Sequence, residues 1–296
     1  MAAQSGCPGA EDPADQAASR WQQTSLLSLV PPAAPQSPPE QPPRSEPAAH
    51  VPAPASGSPG ACPQRLLILD TETTGLDPER DHCIEVGAVL FHVQSRAVLS
   101  QLSLLLPCQS NRAEDINGID AAVSRLEQPW QAGLAYLRAL VASAEVMVAH
   151  NAAFDRSWFG RGPLPGIEKP WLCTMEDLRW PRERRLKATP SVRDLALAYG
   201  IPVWAAHRAL TDCIYLAQVF ERCDQLESLL LAGLEPRRLY RAELPYDQRH
   251  RARDAGFRWN QPVAKAWSRR LSEREVRELD FSVSPVDPDP AQSHAA

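Results

Sequence analysis

The chain has no run of 18 apolar residues, which excludes a conventional transmembrane helix. Its N-terminus lacks the basic start and apolar stretch of a secretory signal. It contains no Cys-x-x-Cys pair. The seven cysteines, Cys7, Cys62, Cys83, Cys108, Cys173, Cys213 and Cys223, are odd in number and scattered. That pattern fits neither a disulfide framework nor a zinc site and predicts free thiols in a reducing cytoplasm. A strong basic excess is also missing. A net charge of −5 over 296 residues excludes a bulk nucleic-acid coat protein but leaves room for a local basic patch.

What is present is unevenly distributed. Residues 1–63 hold 14 of the 29 prolines, with Ala, Ser and Gln, and show little periodicity. Such a stretch cannot bury enough apolar surface to offset chain entropy, so a disordered tail is expected. Trp21–Val30 within it reads as a weak helix or docking segment, or as a chance apolar cluster. Order is expected from Arg65. Leu66-Leu67-Ile68-Leu69 has the continuous apolar character of a strand buried on both faces. Further strands are predicted at Cys83–Val93, Val98–Leu106, Glu145–Ala149 and Trp171–Thr174. Helices are predicted at Gly133–Ala142, after an Asn151 N-cap, from Ser191 to Gly200, and as one long helix from Ala206 to about Leu231. The order β-β-β-α-β-α-β-α-α predicts an α/β fold, a mixed sheet flanked by helices. The expected organisation is a tail (1–63), a main domain (64–232), a small basic module (236–281) and a polar, Pro-rich disordered tail (282–296). Within residues 236–277 there are 12 Lys/Arg against 5 Asp/Glu.

Asp70 and Glu72 end the first strand. Alternation points i and i+2 to one face, where two carboxylates repel unless protonated or bridged by a cation. Asp155 lies near the start of a helix, where the helix dipole favours an acid. Asp212 follows His207 by five residues on the predicted long helix. Singly, each has an ordinary reading as a loop, first-turn or solvated acid. Together, four acids suit hard divalent ions such as Mg²⁺ or Mn²⁺, two of which can clamp both oxygens of a phosphodiester displacement. A neutral histidine beside them can take a proton from water.

Three segments then align in order with a known pattern. The first is Asp70-Thr71-Glu72-Thr73-Thr74-Gly75-Leu76, with Ile84-Glu85-Val86-Gly87-Ala88-Val89. The second is Val148 to Asp155, and the third is His207 to Asp212. Asn117-Gly118-Ile119 adds a loop before the first helix. Over roughly residues 65–225 the chain resembles the DEDDh exonuclease family, typified by the proofreading epsilon subunit of bacterial DNA polymerase III. The resemblance implies a ribonuclease H-like fold with a five-stranded mixed sheet. It implies a 3′→5′ exonuclease that releases nucleoside 5′-monophosphates from 3′ ends of single-stranded DNA, in proofreading or repair. Asp70, Glu72, Asp155 and Asp212 would ligate two divalent metal ions, with His207 as general base. Thr71, Thr74 and Gly75 would lie against the terminal nucleotide through backbone N–H groups. Leu76 would contact its base, and Asn151 and Phe154 would support the groove. Glu85 reads as a structural carboxylate ahead of a ligand. His150, His82 and His92 read as structural or surface histidines.

The expected partners are DNA or RNA 3′ ends and a polymerase or repair complex, with no membrane. An RNA 3′-end trimmer and a non-catalytic nucleic-acid or polymerase adaptor stay open as alternatives; the intact acids weigh against the adaptor. Gln225-Leu226-Glu227-Ser228-Leu229-Leu230 is similar to a sliding-clamp-binding peptide. In the basic module, Phe257, Trp259 and Trp267 are expected to form a miniature core after a helix ending at Gly256. The module resembles a small unit appended to nucleic-acid enzymes. Its arginines either track a phosphate backbone beside a stacking aromatic or form a solvated face.

Overall fold

The computed structural model describes residues 61–205 and 207–286. The expected tail over residues 1–60, with its Trp21–Val30 segment, and residues 287–296 lie outside the described residues. The described chain falls within one compact unit, Pro52–Ala296.

The apolar run from Leu66 seeds β1 (Arg65–Thr73), which pairs antiparallel with β2 (Cys83–His92). β2 pairs antiparallel with β3 (Ala97–Leu105). Two one-turn helices, α1 (Glu114–Asn117) and α2 (Ala121–Ser124), lead into α3 (Trp130–Ser143). Then come β4 (Val146–Ala149), α4 (Ala152–Trp158) and β5 (Trp171–Cys173). β4 lies parallel to β1, and β5 parallel to β4. The result is a mixed five-stranded sheet, in the order β3-β2-β1-β4-β5, of ribonuclease H-like type. Helices α5 (Val192–Ala198), α6 (Ala209–Glu221) and α7 (Leu226–Gly233) complete this part.

Strand alternation divides the core in two. Leu66 and Ile68 face a cluster with Leu195, Leu216 and Phe220 from α5 and α6. Leu67 and Leu69 face Leu134, Leu137 and Leu140 of α3. Each layer buries well over a dozen side chains, each fully buried Leu or Ile contributing roughly 1.5–3 kcal/mol.

A second sheet follows. It comprises β6 (Arg237–Ala242), α8 (Arg249–Asp254), β7 (Arg258–Trp259), β8 (Trp267–Ser272), α9 (Glu273–Glu278) and β9 (Val283–Pro285), with strand order β7-β8-β6-β9. Its small core centres on Ala252, Phe257 and Leu271. Among the described residues no helix is long and apolar enough to cross a membrane.

Five expectations need correction. The long helix from Ala206 is two helices. It breaks at Arg222, whose guanidinium donates to the Tyr199 and Gly200 carbonyls, and the turn lets Leu226 and Leu230 reach the core. Those leucines, with Leu229, are buried, so the clamp-like peptide is not available to a partner. Order begins before Arg65, because Cys62 packs on the core and Gln64 N–H donates to Glu145 Oε2 at 3.0 Å. Residues 282–286 are not a tail, because β9 covers the open edge of β6 and Val283 joins the small core. Finally, Trp259 is 54% exposed and lies outside the miniature core, although its ring pairs with Trp267 across the strands.

Candidate active site

β1 carries the site because its two faces lead to different helices. Asp70 and Glu72 continue the Leu66–Ile68 face, towards α6. Thr71 and Thr73 continue the other, towards α4. In the β1–β2 register Asp70 stands opposite Gly87, and Glu72 opposite Glu85. A β-carbon on Gly87 would overlap the Ala209 carbonyl and the Leu210 nitrogen. Glycine here lets the start of α6 settle directly on β2, which brings Asp212 to the first strand. Carboxylate oxygens of Asp70, Glu72 and Asp212 then lie within 4.8 Å of one another.

Asp155 approaches from α4. Its Oδ1 accepts from the Thr71 backbone N–H at 3.0 Å and from the Thr71 hydroxyl at 2.8 Å. Its Oδ2 is buried and has no hydrogen-bond partner among the described residues. One oxygen is therefore fixed, and the other is shielded with its acceptor capacity unused. A buried acceptor left in this way costs roughly 1–3 kcal/mol unless something else satisfies it.

The electrostatics agree. Burial pushes the Asp70 carboxyl well up, and the charges of Asp155, Asp212, Glu72 and Glu85 add to it. Glu72 is pushed up to about 8 by burial, then by Asp212 and Glu85. Asp212 is pushed up to about 6 by burial, while the His207 charge and backbone N–H pull it down. Burial raises Asp155 as well, against the two Thr71 hydrogen bonds. An all-oxygen, acidic, partly desolvated donor set of this kind fits a hard divalent cation.

His207 precedes α6 rather than lying on it, in an exposed bend with φ +60°. Both of its flanks are held. On the C-terminal side, Glu85 is 1% exposed and accepts from Arg208 Nε at 3.1 Å, Arg208 Nη2 at 2.9 Å and Ala209 N–H at 3.1 Å. Glu85 is thus occupied as the anchor of α6. On the N-terminal side, the buried Tyr215 hydroxyl accepts from the Trp204 and Ala205 N–H groups at 3.0 and 3.1 Å. It also lies 3.0 Å from the Ala205 carbonyl, to which it donates. Sequence reasoning missed Arg208 and Tyr215. Their role depends on contacts across the fold, and no motif marks it.

The predicted nucleotide contacts are placed unevenly. Thr71 and Thr74 are buried, and their N–H groups are already used, by Asp155 and by the His82 carbonyl. Thr71 orients Asp155, and Thr74 closes the turn onto His82. Gly75 is packed so close to Asp81 that a β-carbon would overlap the carboxylate, and Arg112 pairs with the same acid. That packing presents Leu76, 83% exposed, at the tip of the turn. Asn151 occupies the N-cap position of α4 but adopts φ +68° and makes no side-chain cap. Asn tolerates this left-handed turn off β4 better than most residues. Phe154 packs edge-to-face on Trp158 at 5.7 Å. His150 is half-buried just past β4 with Nδ1 2.9 Å from the Thr174 hydroxyl, and burial lowers it to about 4. It takes no part in the acidic cluster. The described cysteines are all free thiols.

A family model described as Exonuclease matches residues 67–220, and the chain belongs to this exonuclease family. A second model, a domain of unknown function (DUF8626), matches residues 238–286. The PolC-type DNA polymerase III of Thermotoga petrophila is 31% identical over 164 residues, covering 53% of this chain and 12% of that protein. The DNA polymerase III epsilon subunit of Treponema pallidum is 29% identical over 164 residues, 52% of this chain and 74% of the subunit. The match therefore spans about an eighth of the PolC-type polymerase's length. Among solved structures, exonuclease X in complex with 5′-overhanging duplex DNA is 26% identical. It covers 56% of this chain and 99% of that one, with a TM-score of 0.40.

Proposed function

We propose that this chain is a metal-dependent 3′→5′ exonuclease acting on single-stranded 3′ ends of DNA and releasing nucleoside 5′-monophosphates. The carrying observation is the convergence of Asp70, Glu72 and Asp212 within 4.8 Å, beside an Asp155 oxygen that no group among the described residues satisfies. Those four acids would hold the divalent ions, Mg²⁺ or Mn²⁺. When bound, such ions acidify a water, polarise the scissile phosphate and stabilise the leaving 3′-oxygen.

The chain's own residues do the rest. An imidazole nitrogen of His207 takes the proton of the attacking water as its oxygen bonds to phosphorus. The P–O3′ bond breaks, the departing 3′-oxygen picks up a proton, and the terminal nucleotide leaves with its 5′-phosphate. Thr71 fixes the orientation of Asp155, while Glu85 and Arg208 fix the start of the helix bearing Asp212. Leu76, exposed on a braced turn, meets the terminal base, and Asn151 and Phe154 shape the groove behind it. The polymerase context of the relatives favours work beside DNA synthesis or repair. In this reading residues 64–232 do the chemistry and residues 236–281 form an accessory unit.

A 5′-labelled single-stranded DNA incubated with Mg²⁺ should give a ladder shortening from its 3′ end. EDTA or Asp70→Asn should abolish the ladder. An equally efficient ladder on RNA would redirect the reading to RNA trimming. No metal-dependent cleavage of either polymer would overturn it.

A further inference from the structure

The second sheet carries more than a fold. Most of its arginines are already spent on acids: Arg251 with Asp280, Arg258 with Glu176 and Arg274 with Glu235. A continuous basic stripe is therefore not its distinguishing feature. Exposed aromatics are. Tyr246 is 80% and Trp259 54% exposed, in a unit whose other aromatics pack inward.

Strand register brings these two to one end of the sheet. Trp259, which closes β7, pairs with Trp267, which opens β8. Arg241 near the end of β6 pairs with Ser268 of β8, so the chain that runs on to Tyr246 emerges at that same end. The exposed Lys265 lies in the turn between β7 and β8. Arg249 stacks its guanidinium 3.9 Å from the centre of the Tyr246 ring. Two exposed aromatic rings, one face of Tyr246 already taken by Arg249, and two cations, Arg249 and Lys265, that make no ion pair among the described residues match the chemistry of a single nucleic-acid strand, which offers bases to stack and phosphates to neutralise.

The unit is also held in a useful place. Arg258, the neighbour of Trp259, reaches Glu176 at 3.0 Å and the sulfur of Met175. Those residues directly follow β5, whose C-terminal end shares an edge with the ends of β4 and β1 because the three run parallel. Asp70 and Glu72 lie at that edge, two strand spacings or roughly 10 Å to the side. A buried ion cluster fixes the other end of the unit: Arg237 pairs with Glu275 and Asp177, and Arg179 with Glu275 at 2.6 Å.

We infer that Tyr246, Trp259 and the cations Arg249 and Lys265 form a grip for single-stranded DNA, holding the strand upstream of the 3′ end that enters the acidic site. The inference rests on the nuclease reading for the identity of the strand, but binding tests it separately from cleavage. Anisotropy of fluorescein-labelled dT4 and dT16 can be read with the full-length Asp70→Asn protein in Mg²⁺, where cleavage is blocked. Trp259→Ala and Tyr246→Ala should each weaken dT16 binding roughly tenfold while leaving dT4 nearly unchanged. Lys265→Gln should lower the salt dependence of dT16 binding by about one unit of slope. Tyr246 is so exposed that its replacement leaves the fold intact, which keeps the test decisive if Trp259→Ala unfolds the unit.

Unchanged dT16 affinity in both variants would overturn the grip, as would equal weakening of dT4 and dT16. A tenfold preference for U16 RNA over dT16 would overturn its assignment to DNA. If the grip variants behave as expected but the native protein cleaves nothing, the nuclease reading fails and the grip stands.

Discussion

At Asp70 burial and four neighbouring carboxylates act in one direction, so the site resists ionising fully in the absence of a counterion. The consequence can be read at Glu72 and Asp212, raised to about 8 and about 6 from ordinary values of 4.5 and 3.8. Both folded-state values are raised, so between the two limits the folded protein binds more protons than the unfolded chain. The stability these groups contribute is present in acid and is lost as pH rises through 6 and then 8. In EDTA the melting temperature should therefore fall between about pH 5 and about pH 8.5. Millimolar Mg²⁺ should restore most of it at the alkaline end and little at the acid end, where protons compete for the same oxygens. Glu72→Gln should flatten the fall. A melting temperature indifferent to both pH and Mg²⁺ over this interval would contradict the picture. Thr71 shows how one residue's role escapes a motif. Its place in Asp-Thr-Glu suggests a substrate contact, yet its N–H and hydroxyl both go to Asp155, 84 positions away.

Among the elements, β1 was legible because its apolar run, its alternation and its terminal acids are all local. The other four strands of the sheet were legible from their local apolar and β-branched runs. The break between α6 and α7 was not legible: no glycine or proline interrupts Glu221-Arg222-Cys223-Asp224-Gln225, and the turn depends on Arg222 reaching carbonyls 22 and 23 positions earlier. β9 was missed because three residues that include Pro285 carry little strand signal until the open edge of β6 supplies their partners. Gly87 was visible as a motif glycine, but its reason, the close approach of Ala209, belongs to packing.

α6 also bears a prediction. It carries both Asp212 and, one turn later, the Tyr215 hydroxyl that holds the backbone leading to His207. Tyr215→Phe keeps the ring against Trp204 and removes the latch. Because small displacements of a catalytic group are costly, kcat should drop about tenfold to a hundredfold with KM little changed. In a His207→Ala background the same substitution should have almost no effect. An equal loss in both backgrounds would make Tyr215 a purely structural residue.

For the whole molecule, two sheets share one compact unit, joined where Arg237 of β6 meets Asp177 and Glu275 of α9 meets Arg179; the Arg237 and Glu275 side chains are 3% and 5% exposed. Buried ion pairs seldom add much net stability, but they penalise any arrangement that leaves one partner alone. This seam therefore specifies where the second sheet sits more than how firmly it holds. The sequence showed two compositions and a boundary near Gly233. The seam itself was invisible, since Asp177, Arg179, Arg237 and Glu275 are ordinary charged residues until the fold assembles them. The central claim remains chemical: four acids, two from one face of β1 and one each from α4 and α6, would make one divalent-metal centre. Titration of the purified protein with Mn²⁺, followed by the loss of its free-ion electron paramagnetic resonance signal, tests this without reference to activity. Saturable binding of two ions per chain is expected, with at least one lost in Asp212→Asn. No binding by the native protein at millimolar Mn²⁺, or an unchanged curve in the variant, would contradict it.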